Sequence, residues 1–572
     1  MKPSKWLALF SAGLVAAASM PVHAAAADAI PVSGNLVRIT TTDDFSASEL
    51  TDLTVLDTIG NGAVTLADPA EEGELISGVY DCPAFTNLVA SWNADTPDDS
   101  SIEITARGRI SETGEWTQWL SWGVWGIGIA RGCGTPDTAR DKLAYVDTDV
   151  LALRDDSLTF DRFQLRATLR RSSTGLSPTL RQLSATFQNW NDGAELTPVY
   201  AEEPTELPEK AILSTPAYSQ MVRDPDISAS ICNPTTITTL LNDRGEDLLP
   251  EQVALVDYDF NYQGFGNWSF ALAAAASFGY DCYIQYGSFD LIRQELAKGY
   301  SVGISVYYAQ KEGGRLPYVE NAPITSTGHL ITVRGYENVD GVEYFYVSDS
   351  AAGSDAEALR RYRADQLDAA WGNRILYLVH EKEANAGTAA PHTVSARLVP
   401  SSDEETVYTL EANGVPVELT ADFLKLKTAA AGGGTILARD ANAPLLEQEA
   451  PARSTTANAA YFYAFKMRSS GGIFLKPEDF LPDGKPGDSK DFLVTVITNT
   501  GVSYEAPLTV TLPLPEESPS EAEEEPVPSA PDDTDAAVPI AKKSIAPLLL
   551  GCAGAAIVLA VALSLFLTKK KK

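Results

Sequence analysis

The sequence predicts a multidomain α+β protein: two β regions flank a central α+β region, followed by an acidic stalk and one transmembrane helix. Three observations predict it. Residues 27–195 and 392–512 contain segments that alternate apolar and polar side chains at the strand period. Residues 211–384 mix that period with helical spacing. Residues 545–567 form an apolar run with no charge. A chain of 572 residues suits such a division, because single cores stop growing near about 250–300 residues. At 44% hydrophobic and 21% charged residues, the composition is that of folded protein. The 77 acidic residues against 43 basic ones, net −34, argue against nucleic acid, since phosphate binding needs Lys and Arg. Four His and five Cys cannot build a zinc array or a dense disulfide scaffold. They also leave few candidates for chemistry that needs imidazole.

Residues 1–26 read as a secretory signal peptide. Lys2 and Lys5 precede an apolar stretch from Trp6 to Ala18, and Val22-His23-Ala24 ends on a small residue. Residues 27–195 read as a β-sandwich accessory domain that loosely resembles jelly rolls. Phe163, Leu165, Ala167 and Leu169 alternate, as do Arg181, Leu183, Ala185 and Phe187, so one face of each sheet is expected to be buried. Trp116, Trp119, Trp122 and Trp125 are three apart, which is not strand alternation. A sugar-binding platform is one reading of these rings, with a glycan as ligand; core and loop packing is the more ordinary one. In an oxidising compartment Cys82 and Cys133 could form a disulfide.

Residues 196–210 are a Pro/Glu linker, and 385–391 are a second, small-residue linker. Residues 392–512 read as a small Ig-like β domain, with Asn413-Gly414 as a hairpin turn. Residues 513–544 are an acidic, Pro-rich stalk whose nine carboxylates are uninterrupted by any aromatic ring. Such a segment cannot bury enough apolar area to fold. Residues 545–567 would extend about 35 Å as a helix, enough to span a bilayer of about 30 Å. Lys569–Lys572 in the tail, 568–572, then mark a cytoplasmic end. The expected location is a cell membrane, single-pass, with the bulk of the chain outside, on a Gram-positive type of surface.

The central region holds a candidate nucleophile. Cys232-Asn233-Pro234 opens a run in which Ile237, Leu240 and Leu241 recur at helical spacing. A thiol at a helix N-terminus is favoured as thiolate. Its base must be His329 or His380. His380 ends an apolar run just before Glu381-Lys382-Glu383, as if leaving a sheet for the surface; His329 starts a strand. If that strand returns through a five-residue loop, 337–341, Asp349 faces His329 across an antiparallel pair. A carboxylate there would orient the imidazole. Asn267-Trp268 opens an Ala-rich helix and is a possible cleft wall, although packing is the plainer reading.

These residues also carry a resemblance. Tyr218-Ser219-Gln220-Met221, Cys232-Asn233-Pro234-Thr235, Asn267-Trp268, Gly328-His329, Ser348-Asp349-Ser350 and Ala370-Trp371 resemble, in order and spacing, the stand-alone branch of cysteine peptidase family 39. The resemblance covers less than a third of the chain. It implies a papain-like domain over 211–384 that cleaves peptide amide bonds. Cys232 would be the nucleophile, His329 the base, Asp349 the orienting carboxylate and Gln220 the oxyanion donor. It implies an extracellular peptide or protein substrate, no metal and no cofactor. Asn233 stands where leader-processing relatives carry glycine, and no transporter modules accompany the domain, so leader-peptide export is not implied. A surface adhesin with an inactive peptidase-like domain is the alternative.

Overall fold

The computed structural model describes residues 29–514 except 59–60, 133, 135, 137–139, 192–197, 201–203, 224–226, 387–392, 402–406, 418–434, 441–465, 468–472, 475–476, 482 and 498–501. The signal segment, Cys133, nearly all of the stalk, the apolar run 545–567 and the Lys tail lie outside the described residues. Among the described residues no helix is long and apolar enough to cross a membrane.

Residues 30–188 form two seven-stranded sheets that share one core. Phe160–Arg170 lies in the first sheet and Thr179–Gln188 in the second. The turn between them therefore carries the chain from one sheet to the other. Leu165 and Ala167 meet Leu183, Ala185 and Phe187 in the common core. Trp122 and Trp125 are fully buried there. Trp116 and Trp119 lie outside it, against Arg107 at 5.0 and 4.7 Å. The four rings thus do not make one platform. Cys82 is a free thiol.

The central domain is a seven-stranded sheet with a helical layer on each face. Its strands are β1 (Lys210–Ile212), β2 (Tyr280–Tyr286), β3 (Val302–Tyr308), β4 (Ser326–Val339), β5 (Val342–Ser348), β6 (Leu359–Arg363) and β7 (Ile375–Lys382). The order is β2-β7-β3-β4-β5-β6, with β1 also on β4 and all pairs antiparallel. Its helices are α1 (Cys232–Asp243), α2 (Pro250–Asp257), α3 (Trp268–Ala276), α4 (Phe289–Lys298) and α5 (Ala364–Ala370). Strand alternation splits the core in two. Leu376 and Leu378 join α4 and α5 on one face, while Ile375, Tyr377 and Val379 join α1, α2 and α3 on the other.

Helix α1 is rich in Thr, a weak helix former, yet it is almost wholly buried. Its hydroxyls are satisfied internally: Thr235, Thr238 and Thr239 each donate to the carbonyl four residues earlier, at 2.7–2.9 Å. Helix α3 is apolar all round because it is wedged between two domains. Phe270 and Ala273 enter the core of the N-terminal sheets, while Ala271, Leu272 and Ala274 face the central domain.

This wedge corrects the expectation that the second N-terminal sheet has one buried face. Strand Thr179–Gln188 is buried along nearly all of its length. The cause is the edge of the central sheet. Strand β2 has β7 on one side only, so its outward backbone groups need partners. The N-terminal domain supplies them from side chains. Gln182 donates to the Cys282 carbonyl at 2.7 Å, and Asn35 to that of Tyr286 at 2.7 Å. Ser91 accepts from the Ile284 N–H at 3.1 Å and Thr186 from that of Tyr286 at 3.0 Å. These groups recur at alternate residues, as a strand's outer edge requires. The outward polar residues of the N-terminal strand are thus its binding face for β2.

The third β region, from Thr393 to Thr511 among the described residues, contributes a mixed sheet. Asn413 and Gly414 turn its hairpin with φ of 53° and 78°, as that dipeptide suggests.

Leaving these four β2 backbone groups dry would cost roughly 1–3 kcal/mol each, and leaving them open would invite pairing between chains. A chain of residues 204–386 alone is therefore expected to aggregate or to lose cooperative unfolding. Size-exclusion chromatography and thermal unfolding by circular dichroism check this. A monomer with a sharp transition would show that the N-terminal domain is dispensable for the central fold.

Candidate active site

The fold brings Cys232, His329 and Asp349 together from three elements. Cys232 is the first residue of α1, partly exposed, and Ile231 before it offers no side-chain cap. The opening N–H groups of α1 therefore remain for other acceptors. His329 lies on β4 and is 2% exposed; Asp349 follows β5 and is fully buried. His329 Nε2 and Asp349 Oδ1 are 2.8 Å apart. With Nε2 committed to the carboxylate, Nδ1 is the ring nitrogen left to face Cys232, whose ionisation is coupled to that of His329.

The hairpin that delivers Asp349 differs from expectation. The strands continue to Val339 and resume at Val342, so the turn is two residues, Asp340-Gly341, with φ of 53° and 84°. An irregularity between Val333 and Gly335 shifts the register, and Thr332 faces Ser348. A continued ladder would set Ile331, not His329, opposite Asp349. The backbone partner of His329 is Val306 on β3. Asp349 reaches the imidazole from just beyond the strand end.

A carboxylate without exposure needs compensation. Asp349 receives it from four donors: His329, Tyr308 Oη–H and Tyr362 Oη–H, each hydroxyl at 2.7 Å, and the Ala351 N–H at 3.1 Å. Burial raises its pKa, but the His329 charge and these hydrogen bonds outweigh burial and hold it below the usual carboxylate value. Burial lowers the His329 pKa, but the Asp349 charge and hydrogen bond, with Cys232, lift it to about 10. Burial raises the Cys232 thiol, but the His329 hydrogen bond and charge, with the N–H groups of Leu330 and Asn233, bring it below its ordinary value. Cys82 and Cys282 are shifted the other way, mainly by burial.

Gln220 sits in a short 3-10 turn, Gln220–Val222. Its Nε2 donates to the Ser228 carbonyl and its Oε1 accepts from Ser350 Oγ, both at 2.8 Å. The Gln220 N–H also donates to the Ser350 carbonyl at 2.8 Å. Gln220 thus joins the segment before Cys232 to the residue after Asp349. The buried pair of Arg223 with Glu251 ties the same turn to α2.

Asn267 caps α3 by accepting from the Phe270 N–H at 3.1 Å. Its Nδ2 donates to Asp259 at 3.0 Å. It is fully buried, so its role is to pack and cap rather than to present a polar wall. Trp268 follows as the first residue of α3. His380 is not on the surface: it is 5% exposed and its Nε2 lies 2.7 Å from Glu295. Its ring is flanked by those of Tyr283 and Tyr300, 5.6 and 4.6 Å away.

Sequence reasoning missed Tyr308 and Tyr362, which lie on strands β3 and β6 at separations of 41 and 13 residues from Asp349. It also missed Asp257, fully buried at the end of α2, whose two carboxyl oxygens lack hydrogen-bond partners. Burial, then the nearby Cys232, Asp259 and Asp149, push its pKa well above the carboxylate range. Among the described residues no group of three or more His, Cys, Asp or Glu is placed to hold a metal ion.

Removing one hydroxyl from Asp349 should cost about 1.5–3 kcal/mol, as for hydrogen bonds to charged groups. Tyr308→Phe and Tyr362→Phe should each lower stability by that amount in urea unfolding. Each should also lower the His329 pKa in an NMR titration. The His329 contribution is complete below about pH 6.5 and is lost as pH rises toward about 10. Stability equal to wild type in both variants would show that the tyrosines do not support the carboxylate.

Comparison with known proteins adds the family. No curated protein matches the chain. Among solved structures, the chain is similar to digestive procathepsin L 3 of Tenebrio molitor larval midgut, at 12% identity and a TM-score of 0.23. That match covers 32% of this chain and 73% of the other. Residues 35–188 match the Peptidase C39 N-terminal domain. Residues 212–375, which contain Cys232, His329 and Asp349, match the Peptidase_C39 like family. Two successive stretches of the chain are thus similar to the Peptidase C39 N-terminal domain and to the Peptidase_C39 like family, and the second holds Cys232, His329 and Asp349.

Proposed function

We propose that the central domain is a papain-like cysteine peptidase acting on a peptide or protein substrate. The observation that carries this reading is the contrast among the described thiols. Cys232 alone of Cys82, Cys232 and Cys282 is shifted toward thiolate, and it does so beside an imidazole backed by a buried carboxylate. Structural cysteines do not need that arrangement; nucleophiles do.

In this mechanism the Cys232 thiolate attacks the amide carbonyl carbon, and the carbonyl π electrons move to oxygen. The N–H of Cys232 and the second N–H of Gln220 Nε2 stabilise that oxyanion, each worth about 2.7–4 kcal/mol when well aimed. The His329 imidazolium gives its proton to the leaving nitrogen as the C–N bond breaks, leaving a thioester on Cys232. His329 then takes a proton from water, which attacks the thioester. Collapse releases the carboxylic acid product and restores the thiolate–imidazolium pair. Asp349 stays ionised throughout and holds the ring. An amine in place of water would make the same site a transpeptidase.

The setting we infer for this activity rests on two sequence segments. A removable signal, 1–26, and an apolar anchor, 545–567, would leave the peptidase outside the membrane on its acidic stalk. Digestion of a peptide library by the full ectodomain is expected to yield cleavage products. Cys232→Ala and His329→Ala should each abolish them. Products that persist unchanged in either variant would refute the assignment.

A further inference from the structure

The N-terminal domain does more than cover the edge of β2. Asp149 lies in its turn between strands Ala144–Asp147 and Val150–Leu153, and is 5% exposed. Trp122 holds this turn, its indole N–H donating to the Asp149 carbonyl at 2.7 Å. The Asp149 carboxyl group, whose pKa burial pushes up to about 8, crosses to the central domain, and its Oδ2 accepts the Trp268 N–H, the first of α3, at 2.6 Å. Asn267, next to Trp268, is bonded to Asp259 on one side and caps α3 on the other. The carbonyls of Phe265 and Asn267 accept the side-chain N–H of Asn233, at 2.8 and 3.4 Å. Asn233 directly follows Cys232 in the first turn of α1. Hydrogen bonds and adjoining residues therefore connect Trp122 with Asn233, the chain neighbour of the nucleophile.

Two further contacts support the same direction. The Trp125 indole N–H donates to the Val256 carbonyl at 3.2 Å, in the last turn of α2 beside Asp257. Gly134 lies so close to the loop after α2 that a Cβ on it would stand 3.0 Å from the Asn261 nitrogen and 3.1 Å from Asp259 Oδ1. The N-terminal domain thus contacts the end of α2, the loop that follows and the start of α3. Those three stretches form the support of the α1 N-terminus.

We propose that the N-terminal domain is part of the catalytic unit, and that Asp149 is a positioning residue that fixes the backbone around Cys232 through Trp268, Asn267 and Asn233. It touches neither substrate nor sulfur. It decides where the α1 N–H groups point, and hence how well they stabilise the thiolate and the developing oxyanion. This inference rests on Cys232 being the nucleophile. It extends that reading by making the site a product of two domains, which explains why a sandwich of this size is fused ahead of a complete central fold.

The test compares two interface variants of the full ectodomain. Asp149→Ala removes the acceptor for Trp268, and Gln182→Ala removes a different interface bond, to the Cys282 carbonyl on β2. Each is assayed for thermal stability, for the pH midpoint of iodoacetamide alkylation at Cys232, and for kcat and KM on a cleaved peptide. Both should lose stability. Only Asp149→Ala should move the alkylation midpoint upward, by roughly one pH unit, and lower kcat roughly ten- to hundredfold with little change in KM. Asp149→Asn, which keeps an oxygen acceptor, should recover most of that loss. If Asp149→Ala fails to fold, Asn267→Ser keeps the α3 cap, drops the bond to Asp259 and should show the same shift. An unmoved midpoint in a folded Asp149→Ala or Asn267→Ser, or an equal shift in Gln182→Ala, would overturn the proposal and leave the N-terminal domain a plain brace. A wild type whose Cys232 reacts no faster than Cys82 would instead overturn the peptidase reading itself.

Discussion

A fully buried carboxylate is the constraint on which the site depends. Asp349 has no exposed surface, and an ionised carboxylate in such a place is costly unless it is paired and hydrogen-bonded. The sheet meets that cost by convergence. Strand β3 brings Tyr308, β4 brings His329, β6 brings Tyr362, and the turn after β5 supplies the Ala351 N–H. Four parts of the chain thus take their relative positions from one anion. The anion then sets the charge of His329, and His329 sets that of Cys232. Each shift is opposed by burial and won by the neighbour, so Cys232 is biased toward thiolate because the carboxylate is satisfied.

The second constraint is the edge of the central sheet. A strand with one neighbour leaves every other residue's N–H and C=O unpaired. Here side chains of a separate β domain answer those groups one by one, at Cys282, Ile284 and Tyr286. The same docking wedges the small-residue helix α3 between the two cores. It places Asp149 at the start of that helix, next to the support of Cys232. Covering the edge and shaping the site are consequences of one interface.

The sequence made some of this legible because few residues could do the chemistry. With four His in the chain, position alone separated His329 from His380, and Pro234 with the apolar spacing behind it located the helix under Cys232. Asp349 was reachable only through a hairpin loop that the structure replaces with a two-residue turn, because a register irregularity near Arg334 is invisible in an alternation pattern. Tyr308 and Tyr362 were not legible, since nothing in a strand's sequence tells which polar ring will meet a distant carboxylate. The burial of His380 and of both faces of strand Thr179–Gln188 was missed for one reason: alternation reports that a face is polar, not that another domain will cover it. Trp122 and Trp125 stood out by spacing, but their indole N–H groups point to partners only the tertiary fold provides.

The central claim is that Cys232 and His329 rest as a thiolate–imidazolium pair held by Asp349. Ultraviolet thiolate absorbance, recorded across pH as the difference between wild type and Cys232→Ala, tests it most directly. The account predicts a thiolate signal already present well below the ordinary thiol pKa of about 8.5, and its displacement to higher pH in His329→Ala. A signal that appears only at or above the ordinary thiol range, unchanged in His329→Ala, would contradict it.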